Sequence, residues 1–152
     1  MKKNLYIEFI AMCAFVFGCV GCNLAPGSYP YAEIYNLNTN ENNLISAIKK
    51  FKTANPEYKV PSIVGLIDGR SSDVADHWYH VYFYNKADNE IIYTWIRQLN
   101  KEEVSFAFVS INKGLELGNW NRVNKDYQKK ENKQKIKKFE EQILDEIKRF
   151  LE

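Results

Sequence analysis

The sequence predicts an α+β domain in which an N-terminal and a C-terminal helix pack on one face of an antiparallel sheet. Two segments repeat their apolar residues at helical spacing. Four runs between them are rich in β-branched and aromatic residues, which favour strands. Short connections join the last three runs, as in antiparallel hairpins. The expected order is α-β-β-β-β-α, with four or five strands in a two-layer fold.

The first helix is expected at 41–54. Thr39 or Asn40 can cap its start, because a short polar side chain accepts a hydrogen bond from the first turn. Pro56 ends it, because the residue before proline avoids helical geometry. Its apolar stripe consists of Leu44, Ile45, Ala47, Ile48 and Phe51.

Strands are expected where the apolar residues alternate or form short runs. The four runs are 62–68, 78–84, 90–98 and 104–112. A weakly alternating stretch at 31–37 adds a short edge strand. The connections 85–89 and 99–103 are short enough for hairpins, so the last three strands should form a meander. The segment 114–124 is rich in glycine and asparagine and is expected to be a structured loop.

The C-terminal helix is expected from 130 to 150 and is the most periodic element of the chain. Its apolar positions are Ile136, Phe139, Ile143, Leu144, Ile147, Phe150 and Leu151. Lysines and glutamates fill the other positions. These charged residues form either a solvated face or a surface that contacts a membrane.

Strand alternation gives the sheet two different faces. A symmetric turn at 85–90 places Tyr84 opposite Ile91, Tyr82 opposite Tyr93, His80 opposite Trp95, and Trp78 opposite Arg97. The other face carries Tyr79, Val81, Phe83, Ile92, Thr94 and Ile96, and is the expected seat of the helices. The first face is aromatic with polar tips. It is either a protein-binding surface, since Tyr, Trp and Arg dominate binding hot spots, or an ordinary half-exposed or second core face.

The asparagine-rich loop contains a second aromatic and basic pair, Trp120 and Arg122. An exposed pair of this kind suits recognition of another protein. The alternative is that Trp120 closes the end of the core.

The first 22 residues have the layout of an export signal. Lys2 and Lys3 precede an apolar run at 9–20, which is too short for a membrane span. The segment Cys19-Val20-Gly21-Cys22 resembles the lipobox of bacterial lipoproteins. The resemblance covers the signal segment alone, and Cys19 stands where the pattern usually has a leucine-like residue. An ordinary cleaved signal, an uncleaved anchor, or acylation at Cys19 are the alternatives.

The resemblance implies that 1–21 is removed and that Cys22 is lipidated and becomes the mature N-terminus. Several buried acyl chains would then anchor the protein stably in a membrane. Residues 22–30 would form the lipidated cysteine and tether, and 31–152 a single globular domain. Asn23, by analogy with enteric lipoproteins, favours the outer membrane facing the periplasm, so the expected location is the cell envelope.

The positions of the cysteines and the net charge restrict the classes of function that we expect. The three cysteines all lie at or before Cys22, so the exported domain has no disulfide and depends on a packed core. Removing Lys2, Lys3 and Glu8 from the 21 basic and 19 acidic residues leaves 19 and 18. This near balance argues against a nucleic-acid partner.

No GxSxG elbow, P-loop, HExxH or GxGxxG motif is present, and nothing in the sequence singles out a pair of carboxylates of the glycosidase type. His77 and His80 would lie on opposite faces of a strand, which argues against a shared metal. The turn-rich segment with Ser71, Ser72, Asp73, Asp76 and His77 is expected to be a polar loop rather than a nucleophile and its base.

The sequence therefore predicts a non-enzymatic envelope lipoprotein without cofactor or metal that binds another protein, for example as an immunity-type or inhibitor-type factor. The expected partner-binding residues are Tyr82, Tyr93, Trp95, Arg97, Trp78, His80, Trp120 and Arg122. The alternative is an envelope hydrolase or small-ligand-binding lipoprotein that uses His77, His80, Asp73 and Arg97.

Overall fold

The computed structural model describes residues 29–73 and 76–152, and the signal segment with Cys22 lies outside them. The described chain is an α+β domain with one antiparallel sheet and three helices. The strands are β1 (Glu33–Leu37), β2 (Gly69–Arg70), β3 (Tyr79–Asn85), β4 (Glu90–Asn100), β5 (Glu103–Lys113) and β6 (Trp120–Arg122). The helices are α1 (Glu41–Ala54), α2 (Lys129–Phe139) and α3 (Asp145–Arg149).

The strands lie in the order β1-β5-β4-β3-β2, and β6 pairs with the same edge of β5 as β1 does, farther along the strand. The strand predicted at 31–37 forms as β1, so a strand precedes the first helix and the order α-β-β-β-β-α is wrong at its start. The loop predicted at 114–124 contributes the short strand β6. Strands β3, β4 and β5 form the predicted meander.

The register of β3 and β4 agrees with the predicted symmetric turn. Tyr84 pairs with Ile91, Tyr82 with Tyr93, and His80 with Trp95. A β-bulge in β5 lies beside the step from Tyr93 to Thr94. It places one extra residue, Val109, in β5, which bends the strand locally.

The strand predicted at 62–68 does not form. Ser62–Val64 is a short 3-10 turn that ends at Gly65, whose φ of 77° lies in the left-handed region. Glycine adopts this conformation without a side-chain clash. The only described strand between α1 and β3 is β2, whose two residues follow the predicted segment. The β-branched and apolar residues of this run predict a strand, but Ile63 and Ile67 are 91 % and 82 % exposed and lie in a turn-rich loop.

Side chains complete the outer edge of β3 where β2 stops. Lys52 Nζ donates to the Tyr82 carbonyl oxygen and to Asp68 Oδ2, both at 2.6 Å. Asp68 Oδ1 accepts from the Tyr82 amide at 3.0 Å. Burial lowers the pKa of Lys52, and the Asp68 carboxylate opposes that shift. The ion pair thus supplies the donor and acceptor that a neighbouring strand would otherwise provide.

The main core lies between the helices and one face of the sheet. The helices contribute Leu44, Ala47, Ile48, Phe51, Phe139 and Ile147, and the π-helical turn between α2 and α3 contributes Ile143 and Leu144; the sheet contributes Val81, Phe83, Ile92, Ile96, Val104, Phe106, Phe108 and Ile111. Phe139 illustrates the packing, with its ring stacked on Phe108 at 4.5 Å between centroids. These sheet positions include four of the six expected to seat the helices, Val81, Phe83, Ile92 and Ile96; Tyr79 packs against the same core half-buried, and Thr94 is buried.

The predicted C-terminal helix is continuous but irregular. A π-helical turn at Glu140–Leu144 joins α2 to α3. Ion pairs connect α2 to the β3–β4 hairpin, with Lys135 Nζ 2.6 Å from Glu90 Oε1 and Lys138 paired with Asp88. None of the described helices is both long and apolar enough to cross a membrane.

Candidate protein-binding face

The sheet face opposite the main core carries a second, smaller cluster. Its buried members are Trp95, Ala107 and Val109, and Tyr29, Ala32, Trp78 and Tyr93 pack against them. No described helical residue belongs to this cluster. We use the term aromatic face for the sheet surface formed by Trp78, His80, Tyr82, Tyr93, Trp95, Arg97 and Trp120. Backbone alternation on β3 and β4 brings most of these side chains together, as the sequence predicted.

Trp95 lies inside the aromatic face rather than on its surface. Trp95 is only 3 % exposed, because the rings of Trp78 and Tyr29 pack on it, with centroids at 4.2 Å and 6.0 Å from its own. The expectation that Trp95 itself touches a partner is therefore corrected. Trp95 supports its neighbours from below. Its Nε1 has no hydrogen-bond partner among the described residues.

Tyr29 was assigned to the tether, yet it packs on the sheet. A turn that is closed by a hydrogen bond from the Ala32 amide to the Tyr29 carbonyl at 3.1 Å holds it there. Its ring meets Trp78 and Tyr93 edge to face at 5.7 and 5.9 Å. Edge-to-face pairs of this kind stabilise by about 0.5–1.5 kcal/mol beyond the area they bury. The domain contacts therefore begin before residue 31.

Tyr93 is the centre of the aromatic face. It stacks on Tyr82 at 5.1 Å and on His80 at 5.7 Å, and meets Trp120 edge to face at 6.0 Å. Together with Tyr29, four rings thus surround Tyr93. Burial, followed by the hydrogen bond with Tyr29, raises the pKa of the Tyr93 phenol. The phenol therefore stays protonated.

A hydrogen-bonded chain of four side chains runs through the aromatic face. Asp76 Oδ2 lies 2.7 Å from His80 Nε2, and His80 Nδ1 lies 2.7 Å from the Tyr93 hydroxyl. The Tyr93 hydroxyl lies 2.8 Å from that of Tyr29. Asp76 Oδ1 also accepts from the Trp78 amide at 3.0 Å. The chain connects the loop before β3 to the turn before β1.

Either charge state of His80 satisfies this chain. With neutral His80, Nε2–H donates to Asp76, Nδ1 accepts from Tyr93, and Tyr93 accepts from Tyr29. With protonated His80, Nδ1–H donates to Tyr93, and Tyr93 donates to Tyr29. Both imidazole nitrogens are engaged within the protein, and Tyr93 keeps its proton. The geometry of His80 therefore suits a residue that holds this hydrogen-bonded chain in place, rather than a base that activates a nucleophile.

Several groups of the aromatic face remain at the surface. Tyr82, Trp120 and Trp78 are half-buried, and Arg97 is exposed. Arg97 Cζ lies 5.1 Å from the Trp78 ring centroid, so the guanidinium and the indole form a cation–π pair. Burial raises the pKa of the Tyr82 phenol, which keeps its hydroxyl as a neutral donor at the surface.

Arg122 lies beyond the aromatic face. Its guanidinium pairs with Asp126, with Nε 2.9 Å from Oδ2, and its Cζ lies 5.9 Å from the Tyr31 ring centroid. Its neighbour Trp120 points to Tyr93, so the loop pair predicted from sequence is divided between two places. Trp120 neither closes the main core nor stands alone in solvent.

Two residues of the alternative enzyme prediction are engaged within the aromatic face: His80 lies between Asp76 and Tyr93, and Arg97 packs on Trp78. His77 is exposed, and its carbonyl oxygen accepts from Arg70 Nη1 at 2.6 Å. Among the described residues, no group of three or more His, Cys, Asp and Glu side chains is arranged to hold a metal ion. Sequence reasoning placed Asp76 in a polar loop and missed its partner His80, although their spacing of four residues is visible in the sequence.

Comparison of the chain with protein-family models, with curated proteins and with solved structures finds no match.

Proposed function

We propose that this protein is a small envelope lipoprotein that binds another protein through the aromatic face, without catalysing a reaction. The observation that carries the proposal is an aromatic sheet face whose rings are already fixed by stacking and hydrogen bonds. In the proposed two-layer arrangement the helices α1, α2 and α3 cover the opposite face. An immunity-type or inhibitor-type role is one form of this function.

Pre-organisation favours binding at this face. Ordering a flexible side chain on association costs about 0.5–1.5 kcal/mol, and the stacked rings avoid much of that cost. Tyr82 and Trp120 present large area with a polar tip, and Arg97 adds a charge at the rim. Trp95 contributes rigidity from below, and the surface residues provide the contacts.

In vivo photo-crosslinking tests the proposed surface. A photo-reactive phenylalanine analogue at Tyr82 or Trp120 should yield the same discrete adduct in cells of the source organism. The matched control is the analogue at Ile63, which is 91 % exposed and lies in the loop before β2. Equal adducts from all three positions, or none from Tyr82 and Trp120, would contradict the proposal.

Affinity measurements then test the energetic contribution of the face. Tyr82→Ala or Trp120→Ala should weaken binding of the crosslinked partner about thirtyfold, the equivalent of about 2 kcal/mol. Ile63→Ala should leave the affinity unchanged. Circular dichroism of each variant checks that the fold is retained. A loss of less than threefold in both face variants would place the interface elsewhere.

The lipid anchor has its own test. We expect Cys22→Ala to abolish incorporation of labelled palmitate, because the acceptor thiol is removed. The variant protein should then leave the membrane fraction or accumulate as precursor. Palmitate that still enters the variant would assign the acceptor to Cys19.

A further inference from the structure

A group of basic residues surrounds the place where the chain enters the described domain. Tyr31 is the third described residue, and its ring centroid lies 4.6 Å from Lys125 Nζ and 5.9 Å from Arg122 Cζ. Asn124 Nδ2 donates to the Tyr31 carbonyl oxygen at 3.2 Å and to Glu33 Oε2 at 2.8 Å. The loop before α2 is therefore fixed beside the entry of the chain.

The first turn of α2 is tied to the same place. The Asn124 amide donates to Asn132 Oδ1, and Asn132 Nδ2 donates to Asn124 Oδ1, both at 2.7 Å. Asn124 has a φ of 58°, a left-handed conformation that asparagine tolerates better than most residues. This reciprocal amide pair places the start of α2 next to Tyr31.

The segment 122–138 is strongly basic, with eight Lys or Arg and two Asp or Glu residues. Ion pairs with described carboxylates engage Arg122, Lys135, Lys137 and Lys138. The remaining lysines, Lys125, Lys129, Lys130 and Lys133, are exposed and form no ion pair with any described residue. We call these four residues the lysine patch.

The three helical lysines of the patch share one side of α2. At about 100° per residue, Lys129, Lys133 and Lys130 fall within roughly 100° of arc. The core side of the helix is marked by Phe139, which is buried. The lysines therefore project together into solvent beside the entry point of the chain, although the mature chain as a whole is nearly neutral.

We infer that the lysine patch rests on the anionic headgroups of the bilayer that holds the lipid anchor. This inference depends on the proposed lipidation of Cys22. Seven residue steps separate Cys22 from Tyr29, and an extended chain spans at most about 3.6 Å per residue, so the anchor lies within roughly 25 Å of Tyr29. Clustered lysines beside an anchor are attracted to anionic lipid over about a Debye length.

The consequence is a fixed orientation of the domain on the membrane. The corner with Tyr31 and the start of α2 faces the lipid. The β4–β5 turn faces away from the lipid. The entry end of β1, at Glu33, pairs with Phe108, and β6 pairs with Ser110–Asn112, so the patch lies near the C-terminal end of β5, whereas the turn precedes its first residue, Glu103. The acyl chains hold the protein at the membrane, and the basic patch adds an electrostatic contact that sets which side of the domain faces the lipid.

Lysine footprinting of the mature lipidated protein tests this orientation. The protein is reconstituted into vesicles of phosphatidylcholine alone or of equal parts phosphatidylcholine and phosphatidylglycerol, and acylated briefly with a water-soluble amine reagent. Mass spectrometry should show at least threefold slower modification of the lysine patch on the anionic vesicles. Lys101, in the β4–β5 turn, is the internal control and should react equally on both. High salt should remove the difference.

A variant distinguishes protection caused by the charge of the lysine patch from protection caused only by closeness to the vesicle surface. With Lys129→Glu, Lys130→Glu and Lys133→Glu, the protection of Lys125 should disappear while circular dichroism stays unchanged. Equal rates for the patch on both vesicles, or equal slowing of Lys101, would overturn the inference even when the acyl mass on Cys22 is present. Absence of that acyl mass would refute the anchor itself and the orientation with it.

Discussion

The hydroxyl of Tyr29 lies 2.8 Å from the hydroxyl of Tyr93, across 64 residues of chain. This contact joins the segment that enters the domain to the centre of the aromatic face. It also completes the cover over Trp95, which Tyr29 shields from solvent. The entry segment and the proposed binding face are therefore parts of one packed unit, and a change at Tyr29 should be felt at Trp95.

Tyr29→Ala should expose the Trp95 indole. In the native protein the Trp95 Nε1–H is buried, so its NMR signal should exchange with solvent more slowly than those of Trp78 and Trp120. Removal of the Tyr29 ring should bring Trp95 to the rate of the other two. Tyr29→Phe keeps the ring and should retain the slow exchange. Unchanged exchange in Tyr29→Ala would mean that other residues exclude the solvent.

Phe139→Ala should lower the free energy of unfolding by about 3–5 kcal/mol, the range for truncating a buried aromatic ring. The Phe139 ring packs on those of Phe108, Phe106 and Tyr35, and its removal leaves a cavity among them. Lys130→Ala, on the exposed side of α2, should change stability by no more than about 0.5 kcal/mol. Urea melts give both values. A Phe139→Ala loss near that of Lys130→Ala would show that α2 is detachable.

Asp76→Asn should destabilise the protein at neutral pH, and the difference from wild type should shrink in acid. Burial would raise the pKa of Asp76, but the hydrogen bonds from the Trp78 amide and His80 outweigh it and hold the pKa below its ordinary value. A lowered carboxyl pKa stabilises above the unfolded value of about 3.9, and this stabilisation is lost as the pH falls through the folded pKa.

Urea melts between pH 7 and pH 2 measure this dependence. The exposed carboxylate of Asp145 provides the control, because Asp145→Asn should have little effect at any of these pH values. A gap between wild type and Asp76→Asn that stays constant down to the lowest pH would contradict the role assigned to the Asp76 hydrogen bonds.

Alkaline solution should destabilise the fold, and Tyr127 should contribute to this loss beside other phenols whose pKa is raised by burial, Tyr82 and Tyr93. Burial, with neighbouring Glu90, Glu131 and Asp126, raises the pKa of the Tyr127 phenol to about 12. The unfolded phenol ionises near pH 10, so this stabilisation is complete below pH 10 and is lost as the pH rises to about 12. Tyr127→Phe should flatten the fall in unfolding free energy over that range. An identical fall in the variant would assign the alkaline transition to other groups.

The sequence predicted the elements whose periodicity is long and regular. The helix of α1, the meander of β3 to β5 and the pairing of Tyr82 with Tyr93 follow from alternation and a short turn, which are local properties. The prediction at 62–68 was wrong because apolar content does not distinguish a buried strand from an exposed turn.

The sequence predicted which residues share the aromatic face, but not which of them are buried within it. Alternation places Trp95 and Tyr93 on the same face, yet the positions of Trp78 and Tyr29 decide that Trp95 is buried, while Tyr93 stays half-buried. Contacts of this kind join residues far apart in the chain, and no local pattern encodes them. For the same reason the sequence did not predict the hydrogen-bonded chain from Asp76 to Tyr29, although each of its four residues can be read from the sequence.

The Lys52–Asp68 pair limits the addition of another chain's strand at the outer edge of β3. An open strand edge is a template on which further strands add, either from a partner or from further copies in a growing fibril. Here the Tyr82 backbone is already saturated by an ammonium and a carboxylate, so that stretch of β3 offers no free amide or carbonyl for such addition. Any partner that approaches Tyr82 must recognise its ring and not its main chain.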